Sequence, residues 1–228
     1  MKEGFCIIGL ERSSSGFRSL RPIPAGSFAW REFPYKRSDR VEFDLQPLQV
    51  FKPHVEDRMF RNHRKLGSIS EEDMLACLKQ SEVAASVTDL FGCTVRSTQR
   101  GANYVQPSEG NRSICGCTIG NISFSFKYYP PKIRATLYLE SGDRLDGLPV
   151  VDHDWVGFAE NLWAQKQGQA NLRQRLQRFF NRQIQEHILS SDAPFVRVGV
   201  TRPFQDRCWL MLDSIFPLPK DSWLEEFE

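Results

Sequence analysis

Alternation of apolar and polar side chains is clearest at residues 122–139. Ile122, Phe124, Phe126 and Tyr128 alternate with Ser123, Ser125 and Lys127. After Pro130-Pro131 the series Ile133, Ala135, Leu137, Leu139 resumes the same period of two, which predicts a hairpin of half-buried strands. The run ESGD then turns the chain into DRLDGLPVV. Further strands are predicted at 4–10 and at 41–51, with a bulge or an edge at Pro47. A last β-section is expected over FVRVGV and CWLMLDSIF.

Helical spacing occupies two other stretches. Ser70 with Asp73 forms an approximate capping box, and Met74, Leu75 and Leu78 then share one face. That helix is expected to break near Ser81 and resume to Phe91, with Gly92 as its stop. The longest helix is predicted over 155–189, where Leu172, Leu176, Phe179, Ile184 and Ile188 mark the buried stripe. The polar, Gly/Ser-rich residues 96–116 read as a long loop. These elements predict an α+β chain, mainly β, with small barrels and connecting helices. The expected division is 1–117, with a helical insertion, and 118–228, with the long helix.

Composition changes this picture little. The 228 residues are 40% hydrophobic and 25% charged, ordinary for a chain that buries a core. No apolar run is long enough to span a membrane, and the N-terminal stretch lacks a signal-cleavage pattern. A cytoplasmic protein with reduced cysteines is expected.

Charge adds more, because the net +2 is unevenly spread. Residues 1–65 are basic, 66–154 acidic, and the last eight, DSWLEEFE, hold four acids and no base. No acid occurs from Asn161 through Gln185, a stretch holding Arg173, Arg175, Arg178 and Arg182. Arg175, Arg178 and Arg182 share one helix face. Gln167, Gln169, Gln174 and Gln177 add neutral donors. That face suits a phosphate backbone or is an ordinary solvated surface. In FAWREFPYKRSDR, Trp30, Phe33 and Tyr35 interleave with Arg31, Lys36, Arg37 and Arg40. Aromatic platforms beside cations are how single strands are held, although such rings also pack onto barrels. RMFRNHRKL, with Arg61, His63, Arg64 and Lys65, reads as an exposed basic loop.

Enzymatic signatures are sparse. Cys115-Gly116-Cys117 has no second pair and no nearby His, so it is a poor zinc signal. Asp152 and Asp154 in VDHDW could hold Mg²⁺ in a nuclease, or Asp154 could cap the next helix. His54, Glu56 and Asp57 pose the same choice. No P-loop, dinucleotide glycine motif or nucleophile elbow occurs.

Four segments in order, CIIGLERSSSGFRSLRPIP, KPHVEDRMF, YLESGDRLDGLPVVDHDW and VGVTRPFQDRCWLMLDSIFPLP, resemble the bacterial dual OB-containing domain proteins. Val151 departs from the pattern, which would carry Thr. The resemblance implies two small oligonucleotide-binding (OB)-type barrels in one unit and a nucleic-acid-binding or sensing role, often beside prokaryotic defence genes. The two Arg-Pro segments would be edges of related barrels, where Arg21 and Arg202 either bridge the barrels or reach a ligand. The expectation is a non-enzymatic module that binds DNA or RNA without a cofactor. Its binding residues would be Arg21, Trp30, Arg31, Tyr35, Lys36, Arg37, Arg40, Arg173, Arg175, Arg178, Arg182 and Arg202. Two alternatives remain: an adaptor docking a larger effector through a barrel surface or tail residues 221–228, and a metal-dependent nuclease.

Overall fold

The alternating stretch ending at Leu139 folds into two antiparallel strands that organise the larger of two sheets. The computed structural model describes residues 7–14, 16–26, 30, 34–81, 83–127, 132–191 and 194–227. It is an α+β protein, mainly β. The first sheet contains β1 (Gly9–Ser13), β2 (Gly16–Pro24), β3 (Asp39–Gln46) and β4 (Asp57–Ser68), in the order β1-β2-β4-β3. β1 with β2 and β3 with β4 are antiparallel, whereas β2 and β4 run parallel with Arg21 opposite Asp57. β3 stops at Gln46, just before Pro47. RMFRNHRKL is therefore strand, a correction to the loop expected there.

α1 (Glu71–Lys79) follows, and the Ser70 hydroxyl accepts the Asp73 amide at 3.0 Å. The helix does not resume toward Phe91. Instead β5 (Val83–Ala84) pairs parallel with the next long strand. Within the expected loop lie β6 (Arg96–Ser97) and β7 (Asn103–Val105). Then come β8 (Ile114–Lys127), β9 (Lys132–Leu139) and β10 (Arg144–Pro149). The helical section is α2 (His153–Gln165), α3 (Leu172–Phe179), a π-helical turn (Phe180–Ile184) and α4 (Gln185–Leu189). β11 (Phe195–Val200), β12 (Cys208–Phe216) and α5 (Ser222–Glu225) complete the chain. The single helix predicted over 155–189 is interrupted at 166–171. There Gly168 (φ 92°) and Asn171 (φ 56°) take left-handed backbone, which ends α2.

The larger sheet runs β10-β9-β8-β11-β12-β7-β6. A parallel bridge between Val150 and Leu212, with the Val151 amide 2.9 Å from the Leu212 carbonyl, brings the end of β10 back to β12. Strands β8 to β12 thus form a partly open barrel, with the helices between its third and fourth strands. β8 pairs with β11 through residues 114–118, with β5 on its other edge there, and with β9 from Ile119 onward. A register shift at Ile119–Asn121 lets it bend between β11 and β9. The division expected at residue 117 falls inside β8.

The smaller sheet repeats four-fifths of this path. Its order β1-β2-β4-β3 is antiparallel, parallel, antiparallel, as is β9-β10-β12-β11. It does not close among the described residues. By this path the counterpart of Leu20–Pro24 is Leu148–Val150. The second Arg-Pro segment lies in the β11–β12 turn, so it is not the matching edge.

β11 does not alternate in exposure because both its faces are buried. Val196, Val198 and Val200 enter the barrel core. Phe195 joins Leu78 and Phe216 against Leu10, Met74 and Leu75, and the Arg197 Nη2 donates to the Ser19 hydroxyl at 2.8 Å.

A side-chain ladder covers the edge of β8 that faces away from β9. Gln177 accepts from the Phe126 amide at 3.0 Å and donates to the Phe124 carbonyl. Asn181 accepts from the Phe124 amide at 2.7 Å and donates to its carbonyl at 2.8 Å. Arg173 Nε donates to the Phe126 carbonyl at 2.9 Å, and Gln185 to the Asn121 side chain at 2.5 Å. These residues recur every four positions. So does the buried row Leu172, Leu176, Phe180, Ile184, Ile188. A spacing of four drifts around an α-helix of 3.6 residues per turn. The wider π turn corrects that drift and keeps both rows aimed at the barrel. An otherwise open strand edge is thereby blocked.

Candidate nucleic-acid interface

Three of the arginines expected to bind ligand are fastened in the seam between the sheets. Arg21, 4% exposed, donates to Asp57 at 3.1 Å, His54 Nδ1 at 2.9 Å and the Ser113 hydroxyl at 2.8 Å. Arg202 reaches the other Asp57 oxygen at 2.5 Å. Glu56 accepts from both the amide (2.6 Å) and the hydroxyl (2.9 Å) of Ser113. A guanidinium only donates, so His54 Nδ1 is an acceptor and the ring is neutral. Burial, with Arg21 and Arg202 beside it, pulls the His54 pKa down to about 3. Arg37 bridges Asp152 and Asp154, at 2.7 Å each, and lies over the Phe216 ring.

Asp152, rather than Asp154, caps α2, accepting from the Asp154 and Trp155 amides at 3.0 and 3.4 Å. Its second oxygen accepts the Ile215 amide at 2.9 Å. Burial raises its pKa against the opposing pull of Arg37. The carboxylates considered for a nuclease are thus engaged by protein donors. Among the described residues no group of three His, Cys, Asp or Glu side chains is placed to hold a metal. Cys115 and Cys117 are buried, and burial pushes the Cys117 thiol up to about 12.

The aromatic cluster of residues 28–40 faces inward where it is described. Trp30 is 6% exposed, stacks on Phe60 at 4.8 Å and donates to the Pro22 carbonyl at 3.0 Å. Tyr35 is half-buried, meets Trp30 edge-on and bonds His63 Nδ1. Trp30 is not an open stacking platform, a correction to the role expected of it, and the Tyr35 ring is taken up by Trp30 and His63. Lys36 and Arg40 are exposed, and Arg31 lies outside the described residues.

On the helix, Arg173 and Gln177 belong to the ladder on β8. Arg175 bonds Gln169 at 2.5 Å and lies over the Phe227 ring. Arg178 and Arg182 are exposed. The tail folds back beside them: Trp223 and Phe227 are buried, against Trp155, Phe158 and His187 and against Phe179 respectively. Two apolar residues of the tail considered for docking an effector are thus used within the chain.

A second aromatic surface, half-buried apart from the exposed Phe204, lies on the outer face of the barrel. In β12 the side chains of Cys208, Leu210 and Leu212 point inward, so Trp209 points out. β7 pairs Tyr104 with Trp209, and their rings lie 5.7 Å apart. The Arg207 guanidinium covers both, 4.7 Å from the Tyr104 centroid and 5.4 Å from that of Trp209. Gln205 and Asp206 both take positive φ (53° and 56°) in the tight turn before it. That turn leaves Phe204 63% exposed, with its carbonyl accepting Trp209 Nε1 at 3.1 Å.

The face continues across neighbouring strands. Asn103 donates to the Asp146 carbonyl at 3.1 Å, joining β7 to β10. Tyr138 and Arg144 are cross-strand partners, with the guanidinium 5.4 Å from the ring centroid. Arg134 donates to the Gly147 carbonyl at 2.8 Å. Tyr104, Tyr138, Arg144, Phe204, Arg207 and Trp209 went unremarked in the sequence. The signal was present: Tyr138 and Trp209 occupy the polar phase of two alternating strands.

Among the described residues no helix is long and apolar enough to cross a membrane. Comparison of the chain with known protein families, with curated proteins and with solved structures finds no match, so the family resemblance rests on the order of its motifs.

Proposed function

We propose that this protein is a nucleic-acid-binding module that takes single-stranded DNA or RNA across the outer face of β9, β10, β7 and β12. The observation that carries the reading is the Tyr104–Trp209 pair under Arg207, continued by Tyr138 under Arg144. Bases stack on aromatic rings and on guanidinium planes. The outer surface of the barrel, presenting both kinds of platform beside an exposed Phe204, suits unpaired bases better than a duplex. The path of the five strands supports it, because OB-type barrels use the face of their second and third strands and the turn between the last two. Those are β9, β10 and residues 201–207.

The test is fluorescence anisotropy with labelled oligothymidylate, oligouridylate and a duplex of equal length. Trp209→Ala and Arg207→Ala should each weaken single-strand binding, with a loss of about 5- to 150-fold for one stacked base. Unchanged affinity in folded variants, or a preference for the duplex, overturns the reading.

A further inference from the structure

We propose that the outward face of α3 is a second track, for the phosphate backbone of the same nucleic acid, and that the acidic tail competes for it in cis. This rests on the nucleic-acid reading but uses none of the residues of the barrel face. Two shallow basins, of about 550 and 580 Å³, flank Arg178. One is lined by Arg173, Gln174, Gln177 and Arg178. The other has Arg175, Arg178 and Arg182 as its cationic walls and, among the described residues, Glu226 as its carboxylate. The side chains of Arg178 and Arg182 form no ion pair among the described residues. They stand on a helix whose sequence carries no acid before Glu186. Two cations four positions apart project at intervals of about 6 Å along the axis, a row that can follow a charged backbone.

The tail brings the opposing charge. Trp223 stacks on His187 at 4.6 Å with the rings 7° from parallel. Phe227 packs edge-on against Phe179 at 5.2 Å, with Arg175 and Lys166 over its ring. Those anchors hold Glu226 beside the arginine row, 3.2 Å from His187 Nε2, with Glu225 one position before it. The anchors are buried and the two carboxylates are exposed. A phosphate strand therefore has only to displace or outweigh carboxylates, without undocking the tail.

The same oligothymidylate assay, run from 50 to 200 mM salt, separates the claims. Arg178→Ala/Arg182→Ala should make the log–log salt slope shallower by about 1.4, two single-strand phosphate contacts. That variant then loses about sevenfold less affinity across the salt range. Glu225→Gln/Glu226→Gln keeps Trp223 and Phe227 and should tighten binding at 50 mM salt by about two- to fivefold, the scale of exposed ion pairs. Melting curves confirm that both variants are folded. A shallower slope with unchanged loss on Trp209→Ala supports both sites. An unchanged slope in the folded arginine variant overturns the track while leaving the barrel face standing. A changed slope with no effect of Trp209→Ala overturns the barrel face alone. Unaltered affinity in the glutamine variant overturns the competition, and failure of the unmodified protein to bind any oligonucleotide overturns all three.

Discussion

Asp57 and Arg202, 145 positions apart in the chain, meet at 2.5 Å. The pair joins the smaller sheet to the turn that carries Phe204 and Arg207. The other oxygen of Asp57 holds Arg21, so the two Arg-Pro segments converge on one buried carboxylate. The smaller sheet thereby helps fix the position of a turn on the proposed binding face. Asp57→Asn keeps the shape and leaves a buried guanidinium without its counter-charge. Breaking such a pair costs about 3–5 kcal/mol. A denaturant melt should show a loss of that order, and an unchanged midpoint would count against the seam as described.

Trp30 should matter for stability and not for binding. It is buried in a stack with Phe60, and truncating a core tryptophan costs about 3–5 kcal/mol. Trp30→Phe, which keeps most of the packing, should leave oligonucleotide affinity unchanged while lowering the melting temperature. Weaker binding in that folded variant would place Trp30 in the interface after all.

The ladder on β8 predicts a contrast between two neighbouring polar residues. Asn181→Ala leaves the Phe124 amide unpaired, while Gln177 still donates to its carbonyl, at a cost of about 1–3 kcal/mol for that one buried group. Gln174→Ala, on the exposed side, should stay within about 0.5 kcal/mol. Chemical denaturation of the two variants side by side checks this, and equal effects would refute the ladder.

Two buried groups should pull the pH dependence of stability in opposite directions. His54 is held neutral, with its pKa near 3. As pH falls from 6.5 toward 3 the unfolded chain takes up a proton that the folded chain does not, and stability is lost. His54→Gln should flatten that acid limb. Asp213 behaves in reverse: burial pushes it up to about 7, against Arg21 and Arg197 and with the help of Asp152. Its Oδ2, over Gly199, has no hydrogen-bond partner among the described residues. The folded chain keeps this proton over the window from 3.8 to 7, so stability is lost as pH rises through it. Asp213→Asn should therefore gain on the parent protein steadily from pH 4 to pH 8. Parallel stability curves for variant and parent would dismiss the assignment.

Local pattern determined much of the fold. The alternation around Phe124 and Leu137 specified the β8–β9 hairpin, and Ser70 with Asp73 specified the start of α1, whereas the strand expected to run past Pro47 to residue 51 stops at Gln46. Each of these depends on neighbours within a few positions, where backbone sterics and side-chain phase decide the outcome. The four-residue spacing of Leu172, Leu176, Ile184 and Ile188 was equally visible. Its meaning was not, because a row of that period becomes a π turn only when a strand edge lies alongside to hold Gln177 and Asn181.

Which cations and rings face solvent was decided by tertiary structure alone. Arg21, Arg37 and Arg173 look like ligand-binding residues in sequence, yet their partners Asp57, Asp152 and Phe126 lie 36, 115 and 47 positions away. Trp30 and Trp209 both sit in aromatic stretches. The stacking of Trp30 on Phe60 buries one, and the pairing of β7 with β12 sets the other, half-buried, beside Tyr104 on the outer face of the barrel. A charge or a ring acquires its role from what long-range strand pairing places against it, and alternation along one strand carries no information about which strand that will be.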